Sequence, residues 1–203
     1  MVIASGNPHK VRELVALLPL RGARWRSLAE FPSLPRVPER GATFEANATR
    51  KALAVARATG LLALADDSGL EVDALRWGPG VRSARFAGRH GDDAANNRKL
   101  LRLLAGLPPS RRRARYRCAL ALADPARVLA VTGGAWYGRI AVAPAGARGF
   151  GYDPLFLVPA YGKTVGQLPA RVKQRRSHRA RAARRMMPVL RRIVRARAAR
   201  AHR

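Results

Sequence analysis

Leu61-Leu62-Ala63-Leu64-Ala65, followed directly by Asp66-Asp67-Ser68-Gly69, is the stretch on which the fold turns. A continuous apolar run of five residues between Gly60 and an acidic pair reads as a central strand. The strand is expected to stop at Ala65 and to present Asp66 to Gly69 at its end, with a second short strand from Leu70 to Ala74. Upstream, Thr43 is a plausible N-cap for a helix that runs to about Thr59 and is closed by Gly60. Further out, Val2-Ile3-Ala4 reads as a short buried strand. It enters the turn Ser5-Gly6-Asn7-Pro8 and then a helix from about His9 to Leu18, with Val11, Leu14, Val15 and Leu18 on one face.

Downstream, Pro79-Gly80 marks a turn, and Asp92 to Leu104 forms a third helix. Arg115 to Leu122 and Arg127 to Thr132 pair as strands across Asp124-Pro125, and Gly134 to Ile140 continues as strand. Residues 32–42 and Pro144 to Gly151 read as loops, from their proline and glycine content. Arg171 to Arg203 carries fourteen basic side chains and no acid. Pro188 is expected to break that region, with Met187, Leu190 and Ile193 anchoring a terminal helix that frays beyond Val194.

The 203 residues suffice for one large domain or two packed lobes. No stretch approaches the roughly 20 uncharged apolar residues that span a bilayer, which argues against a membrane partner. The N-terminus lacks the pattern of a signal peptide, and the single cysteine, Cys118, fits a reducing compartment, so the cytoplasm is expected. The formal net charge is +28 and would attract a polyanion such as nucleic acid. GC-rich coding produces the same arginine and alanine enrichment, so charge alone decides nothing. Against that background only Lys10, Lys51, Lys99, Lys163 and Lys173 remain lysine, a hint that their chemistry is needed.

Four segments carry candidate chemistry. In Ser5-Gly6-Asn7-Pro8-His9-Lys10, a strand-to-helix turn presents backbone N–H groups to a phosphate, and Lys10 adds a mobile charge; an ordinary connection has the same look. It is not a P-loop, because Leu157 stands where the glycine before Gly162-Lys163-Thr164 would be needed. In Asp66-Asp67-Ser68-Gly69-Leu70, with Glu71 and Asp73, four of the chain's twelve acids fall within eight residues. Adjacent carboxylates repel unless a cation or solvent relieves them. Mg²⁺ does this with few carboxylates and bridges to phosphates, and a carboxylate beside it can activate water. A solvated turn paired with arginines is the alternative. In Gly149-Phe150-Gly151-Tyr152-Asp153-Pro154, glycines admit a flat ligand, aromatic rings stack on a base and Asp153 accepts hydrogen bonds. A 6-keto purine offers an N1–H there that adenine lacks; a structural glycine turn with buried aromatics is equally compatible. Lys173 with Ser177-His178-Arg179 can serve a base or phosphate, or simply belong to a solvated basic segment. The four histidines, His9, His90, His178 and His202, have no zinc spacing.

In this order the segments resemble the inosine/xanthosine triphosphate pyrophosphatase family (the HAM1-like proteins). The resemblance extends from Val2 to about Ala182. It includes Thr43-Phe44-Glu45 with Asn47-Ala48, Pro79-Gly80 with Ser83-Ala84-Arg85-Phe86 and Gly88, and Ser177-His178-Arg179. It implies an α/β fold with an elongated mixed sheet and flanking helices, two lobes around a nucleotide cleft and a homodimer. It also implies Mg²⁺-dependent cleavage between the α- and β-phosphates of ITP, dITP and XTP. By position, Ser5, Gly6, Asn7, Pro8, His9 and Lys10 would bind triphosphate and sugar. Asp67 would be the catalytic carboxylate and a metal ligand, with Glu39 and Asp66 assisting the metal. Ser68, Phe150, Gly151, Tyr152, Asp153, Lys173, His178 and Arg179 would complete the nucleotide site. Departures fall at Ala46 (a second glutamate in the family), at Arg171-Val172 (an acidic pair), at Arg176 (an apolar residue) and at Ala180 (a glycine). Residues 1–194 would form the pyrophosphatase domain and 195–203 a basic tail able to touch nucleic acid. Two other functions are compatible: a basic nucleic-acid-binding protein whose nucleotide fold is inactive, and a related pyrophosphatase for modified pyrimidine nucleotides.

Overall fold

The computed structural model describes residues 1–34 and 37–201, with side chains through Ala199. Pro35 and Arg36 of the expected 32–42 loop, and His202 and Arg203 of the basic tail, lie outside the described residues. The chain runs β1 (Val2–Ile3), α1 (Pro8–Leu17), β2 (Arg26–Ser27), α2 (Phe44–Thr59), β3 (Ala63–Val72) and α3 (Asp93–Leu103). It continues through β4 (Arg113–Ala123), β5 (Val128–Ile140), β6 (Phe156–Val158), β7 (Lys163–Thr164), α4 (Ala170–Arg176) and α5 (His178–Ala201). The strands form one sheet in the order β2-β1-β3-β4-β5-β6-β7. β1 is parallel to both β2 and β3, whereas β6 is antiparallel to both β5 and β7, so the sheet is mixed, as expected.

Local signals account for the first three helices. The Thr43 hydroxyl accepts from the Ala46 N–H at the start of α2, and Gly60 closes that helix at φ 69°, a conformation glycine adopts without steric cost. Asp92 caps α3 in the same way through the Ala95 N–H.

Two expectations are corrected. The strand expected to end at Ala65 continues for ten residues, from Ala63 through the acidic pair to Val72. It can do so because neighbouring cations and an amide satisfy both carboxylates. Gly69 is tolerated mid-strand because it admits a close neighbour: a Cβ there would sit 2.5 Å from the Gly80 carbonyl oxygen and press on the Ser83 hydroxyl. Likewise Pro188 does not break the C-terminal region. It lies inside α5, which continues past Val194 to Ala201. An interior proline costs a helix about 3 kcal/mol; burial of Ala182, Ala183, Met186 and Leu190 along the same helix offsets it.

The chain divides into two compact units. The first comprises Met1–Asp67, Cys118–Gly134 and Arg179–Arg203; the second comprises Ser68–Arg117 and Ala135–His178. The core of the first is Ile3, Leu14, Leu18, Leu64, Leu120 and Leu122 with the buried face of α5. In the second, Leu70, Leu100, Leu104, Trp136, Phe156 and Val158 pack together. Arg112 is buried there with no carboxylate partner among the described residues, its guanidinium donating to the carbonyls of Leu104, Ile140 and Ala141.

Candidate active site

In the first unit the site begins at the β1–α1 turn. Asn7 caps α1, its Oδ1 accepting the N–H groups of His9 (2.9 Å) and Lys10 (3.2 Å), while the Ser5 hydroxyl accepts the Asn7 N–H (3.2 Å). Those three backbone donors, expected to face a phosphate, are therefore already engaged. What the turn projects is the Lys10 ammonium. Gly6 lies in open space, and His9 Nδ1 meets the exposed Arg12 guanidinium at 2.9 Å.

Neighbouring side chains on a pleated strand point to opposite faces, and this separates the two aspartates of β3. Asp66 reaches α1 and α5. Its Oδ1 lies 2.7 Å from Lys10 Nζ, and its Oδ2 lies 2.9 Å from Arg179 Nε and 3.1 Å from Cys118 Sγ. Arg179 is 1% exposed and also pairs with Glu13 of α1. Burial alone would raise the Asp66 carboxyl, but Arg179 and then Lys10 outweigh it and hold the group well below the usual carboxylate range.

Asp67 instead faces α2. Asn47 Nδ2 donates to its Oδ2 at 3.0 Å, and Asn47 is itself fixed by accepting the Gly41 N–H at 2.7 Å. Lys51 Nζ stands 3.4 Å from Asp67 Oδ1 and 2.7 Å from Glu39 Oε1, and donates to the Asp66 carbonyl at 2.6 Å. Burial pushes the Asp67 carboxyl up despite Lys51 and Lys10, and Glu39 adds to the rise. The expected relief of the acidic pair thus comes from protein cations. Asp66, expected as a metal ligand, has each carboxylate oxygen on a cation, on the opposite face from Glu39 and Asp67. Among the described residues no three His, Cys, Asp or Glu side chains gather as a metal cage. Glu39 and Asp67 converge on one cation, Lys51, and form a two-carboxylate, all-oxygen donor set. That suits Mg²⁺, which commonly takes one or two carboxylates and completes its shell with water and phosphate.

In the second unit Ser68 is partly buried on β3, and the 149–153 loop is fixed by internal bonds. Asp153 is buried; its Oδ2 accepts the Phe150 N–H (2.9 Å) and Lys173 Nζ (2.7 Å), and its Oδ1 accepts the Tyr116 hydroxyl (3.1 Å). Gly149 has φ 84°, and a Cβ there would fall 2.8 Å from Asp153 Cγ. Two α3 side chains clamp the Gly151 peptide: Asp93 accepts its N–H at 2.6 Å and Asn97 donates to its carbonyl at 3.0 Å. Tyr152, expected to stack on a base, is a core residue, 5% exposed, and its hydroxyl donates to the Ser83 carbonyl at 2.8 Å. Phe150 remains partly exposed, with Lys173 Nζ 4.2 Å from its ring centroid. His178 is buried and stacks on Tyr116, centroids 4.8 Å apart.

The structure therefore gathers Lys10, Asp66 and Arg179, then Glu39 and Asp67, and, in the second unit, Phe150, Asp153 and Lys173. Reasoning from sequence gave no site role to Asn47, Lys51, Glu13 or Cys118, although Asn47 and Lys51 were already noted. The persistence of lysine in an arginine-rich chain was the available signal for Lys51; Glu13 and Cys118 carry none that local sequence reveals.

The model of the Ham1 family matches residues 1–189 of the chain. A dITP/XTP pyrophosphatase of Desulforamulus reducens is 50% identical over 193 residues, covering 95% of this chain and 96% of that protein. One of Rhodopirellula baltica, under the same name, is 48% identical and covers 96% of this chain and 94% of its own. Among solved structures, a HAM1 protein from Coxiella burnetii superposes with a TM-score of 0.84 at 41% identity, covering 93% of this chain and 96% of that one.

Proposed function

The chain belongs to the Ham1 family, and from that premise we propose that it hydrolyses the non-canonical purine triphosphates ITP, dITP and XTP. The products are the monophosphate and pyrophosphate, and the consequence is to keep these nucleotides out of DNA and RNA synthesis. The observation that carries the chemistry is the divergence of two adjacent carboxylates. Asp66 is engaged by Lys10 at 2.7 Å and Arg179 at 2.9 Å, while Asp67 turns towards Lys51 and Glu39 and is held by Asn47 at 3.0 Å, with burial pushing its carboxyl up. Neighbouring titratable groups driven apart in this way mark an acid–base assignment.

In this reading Asp67 is the base that orients and deprotonates the water attacking the α-phosphorus, and Asn47 fixes its carboxylate. Asp66 stays ionised and orders Lys10 and Arg179, whose positive charge attracts the triphosphate, with Ser5 to His9 supporting it and the sugar. Glu39 and Asp67 would hold Mg²⁺ together with the substrate phosphates. When bound, the metal supplies charge neutralisation on those phosphates and eases departure of pyrophosphate. Phe150 and Lys173 take the base, Asp153 and Gly151 set their positions, and Ser68 and His178 complete the nucleotide contacts. The Mg²⁺ requirement, a homodimer, a cytoplasmic location and nucleic-acid contact by the basic C-terminal residues belong to the same proposal. So does a pyrophosphatase domain over residues 1–194 with 195–203 as its basic extension.

The test is pyrophosphate release from ITP, XTP, GTP and ATP, with and without Mg²⁺, by the wild type and by Asp67→Asn. Mg²⁺-dependent release from ITP or XTP, far above ATP and lost in the variant, is expected. Release from no nucleotide, or undiminished release by Asp67→Asn, would overturn the assignment.

A further inference from the structure

One end of the first unit gathers positive charge that no carboxylate among the described residues pairs. Arg21 lies in the connection between α1 and β2, and Arg191, Arg192, Arg195 and Arg197 lie exposed on the last turns of α5. Among the described residues none of these five forms an ion pair with a carboxylate. Elsewhere in the molecule arginines do find acids, as Arg26, Arg113 and Arg115 do. Arg191 and Arg195 are one helical turn apart and so share a face of α5. Between them and Arg21 lies an open depression of about 740 Å³. Its apolar lining includes Leu18, Trp25 and Val194, and none of the described residues that line it is acidic. Trp25 is held in place, because its indole N–H donates to the Leu18 carbonyl at 2.9 Å.

An apolar depression with a fixed aromatic ring, rimmed by guanidiniums that pair with no carboxylate among the described residues, combines the two elements that hold single strands: a charged rim for phosphates and a surface for a base. A duplex would satisfy the rim but has no free base for the floor. A single acyl carboxylate would satisfy the floor and one arginine, leaving the others unrelieved. We propose that this surface binds single-stranded nucleic acid, with successive phosphates on Arg21, Arg191 and Arg195 and an unpaired base seated beside Trp25. The site deepens the nucleic-acid contact proposed for the basic C-terminal residues, but it is separate from the residues assigned to nucleotide hydrolysis and does not depend on that assignment.

The experiment uses the full chain and a fluorescein-labelled (dT)20, followed by anisotropy and by tryptophan emission over a series of salt concentrations. Binding to (dT)20 should quench tryptophan emission, and Trp25→Phe should abolish the quench. Three neutralised phosphates imply a log K against log salt slope of roughly −2, at about 0.7 per phosphate for single strands. The double variant Arg191→Glu/Arg195→Glu should bind at least tenfold more weakly with a slope shallower by about 1.4. Its melting temperature and its turnover of ITP should stay at wild-type values. Arg21→Glu, on a different element, should weaken binding in the same direction. Wild-type affinity in both charge variants would overturn the proposal, as would tighter binding of a duplex of equal length. So would saturable quenching by decanoate without quenching by (dT)20, which would make this a site for acyl anions.

Discussion

Replacing Arg179 by methionine tests the electrostatic argument most directly. Arg179 and Asp66 are the two least exposed members of their cluster, at 1% and 0% of side-chain surface. Methionine fills much of the volume but leaves the carboxylate buried without its guanidinium, beside Lys10 and the Cys118 thiol. Removing one partner of a buried ion pair costs about 3–5 kcal/mol. The remaining Lys10 contact places the expected loss near the lower end, about 3 kcal/mol. Glu13, 22% exposed, can hydrate and adds little. For a chain of this size about 3 kcal/mol corresponds to a fall in Tm of roughly 6–12 °C, read by far-UV circular dichroism at pH 7.

The loss should also depend on pH. In the wild type the folded-state pKa of Asp66 is depressed. Its stabilisation is therefore present above the unfolded-state pKa, about 3.9, and is lost as pH falls through the folded-state value. In the variant burial acts on Asp66 with less opposition, the group takes up its proton earlier, and the penalty is relieved on acidification. The gap in Tm between the two proteins should thus narrow from pH 7 towards about pH 3.5. Adding Asp66→Asn to the variant should restore more than half of the loss, since no ion then remains buried against Arg179's former position. A deficit under about 1 kcal/mol, or a gap that acidification leaves unchanged, would refute the reasoning.

Asp67→Asn should lower turnover of ITP by about 10²- to 10⁴-fold and yet raise Tm at neutral pH. A carboxyl whose folded-state pKa is raised stabilises below its unfolded-state pKa and opposes folding once pH exceeds the folded-state value. The gain in Tm should therefore vanish on acidification below the ordinary carboxylate range. Lys173→Met removes the 2.7 Å contact to Asp153 and the cation over Phe150, and should raise KM for ITP roughly tenfold with a smaller change in kcat, measured by steady-state kinetics. Gly69→Ala forces a methyl group against Ser83 and Gly80 and should cost about 1–3 kcal/mol in urea denaturation.

Much of the fold was legible in local sequence. Thr43, Gly60 and Asp92 announce helix ends through short-range hydrogen bonds or backbone freedom, and the structure places the ends there. Where the reading failed, distant residues decided. β3 passes through Asp66 and Asp67 because Lys10, Lys51 and Arg179 arrive from three helices, and Pro188 stays helical because α5 is buried around it. The order of the site segments was legible, but their internal geometry less so. Adjacent aspartates suggested one shared cation, whereas strand alternation sends them to opposite faces. Tyr152 beside two glycines looked like a stacking ring and is a packed core residue. Arg179 was singled out by the resemblance, but its burial against Asp66 was not legible, because nothing in a run of like charges marks the one that is buried.

Cys118 gives the first unit a built-in reporter of its own opening. The thiol is buried and donates to Asp66, and burial first, then that carboxylate, pushes its pKa well above that of a free cysteine. In the native state it is therefore neither accessible nor ionised, and thiolate is the form that alkylating and oxidising reagents attack. Because no other cysteine is present in the chain, any label taken up registers an event that uncovers β4. The rate of uptake, measured with and without ITP, then counts local openings beside the catalytic strand without any engineered probe.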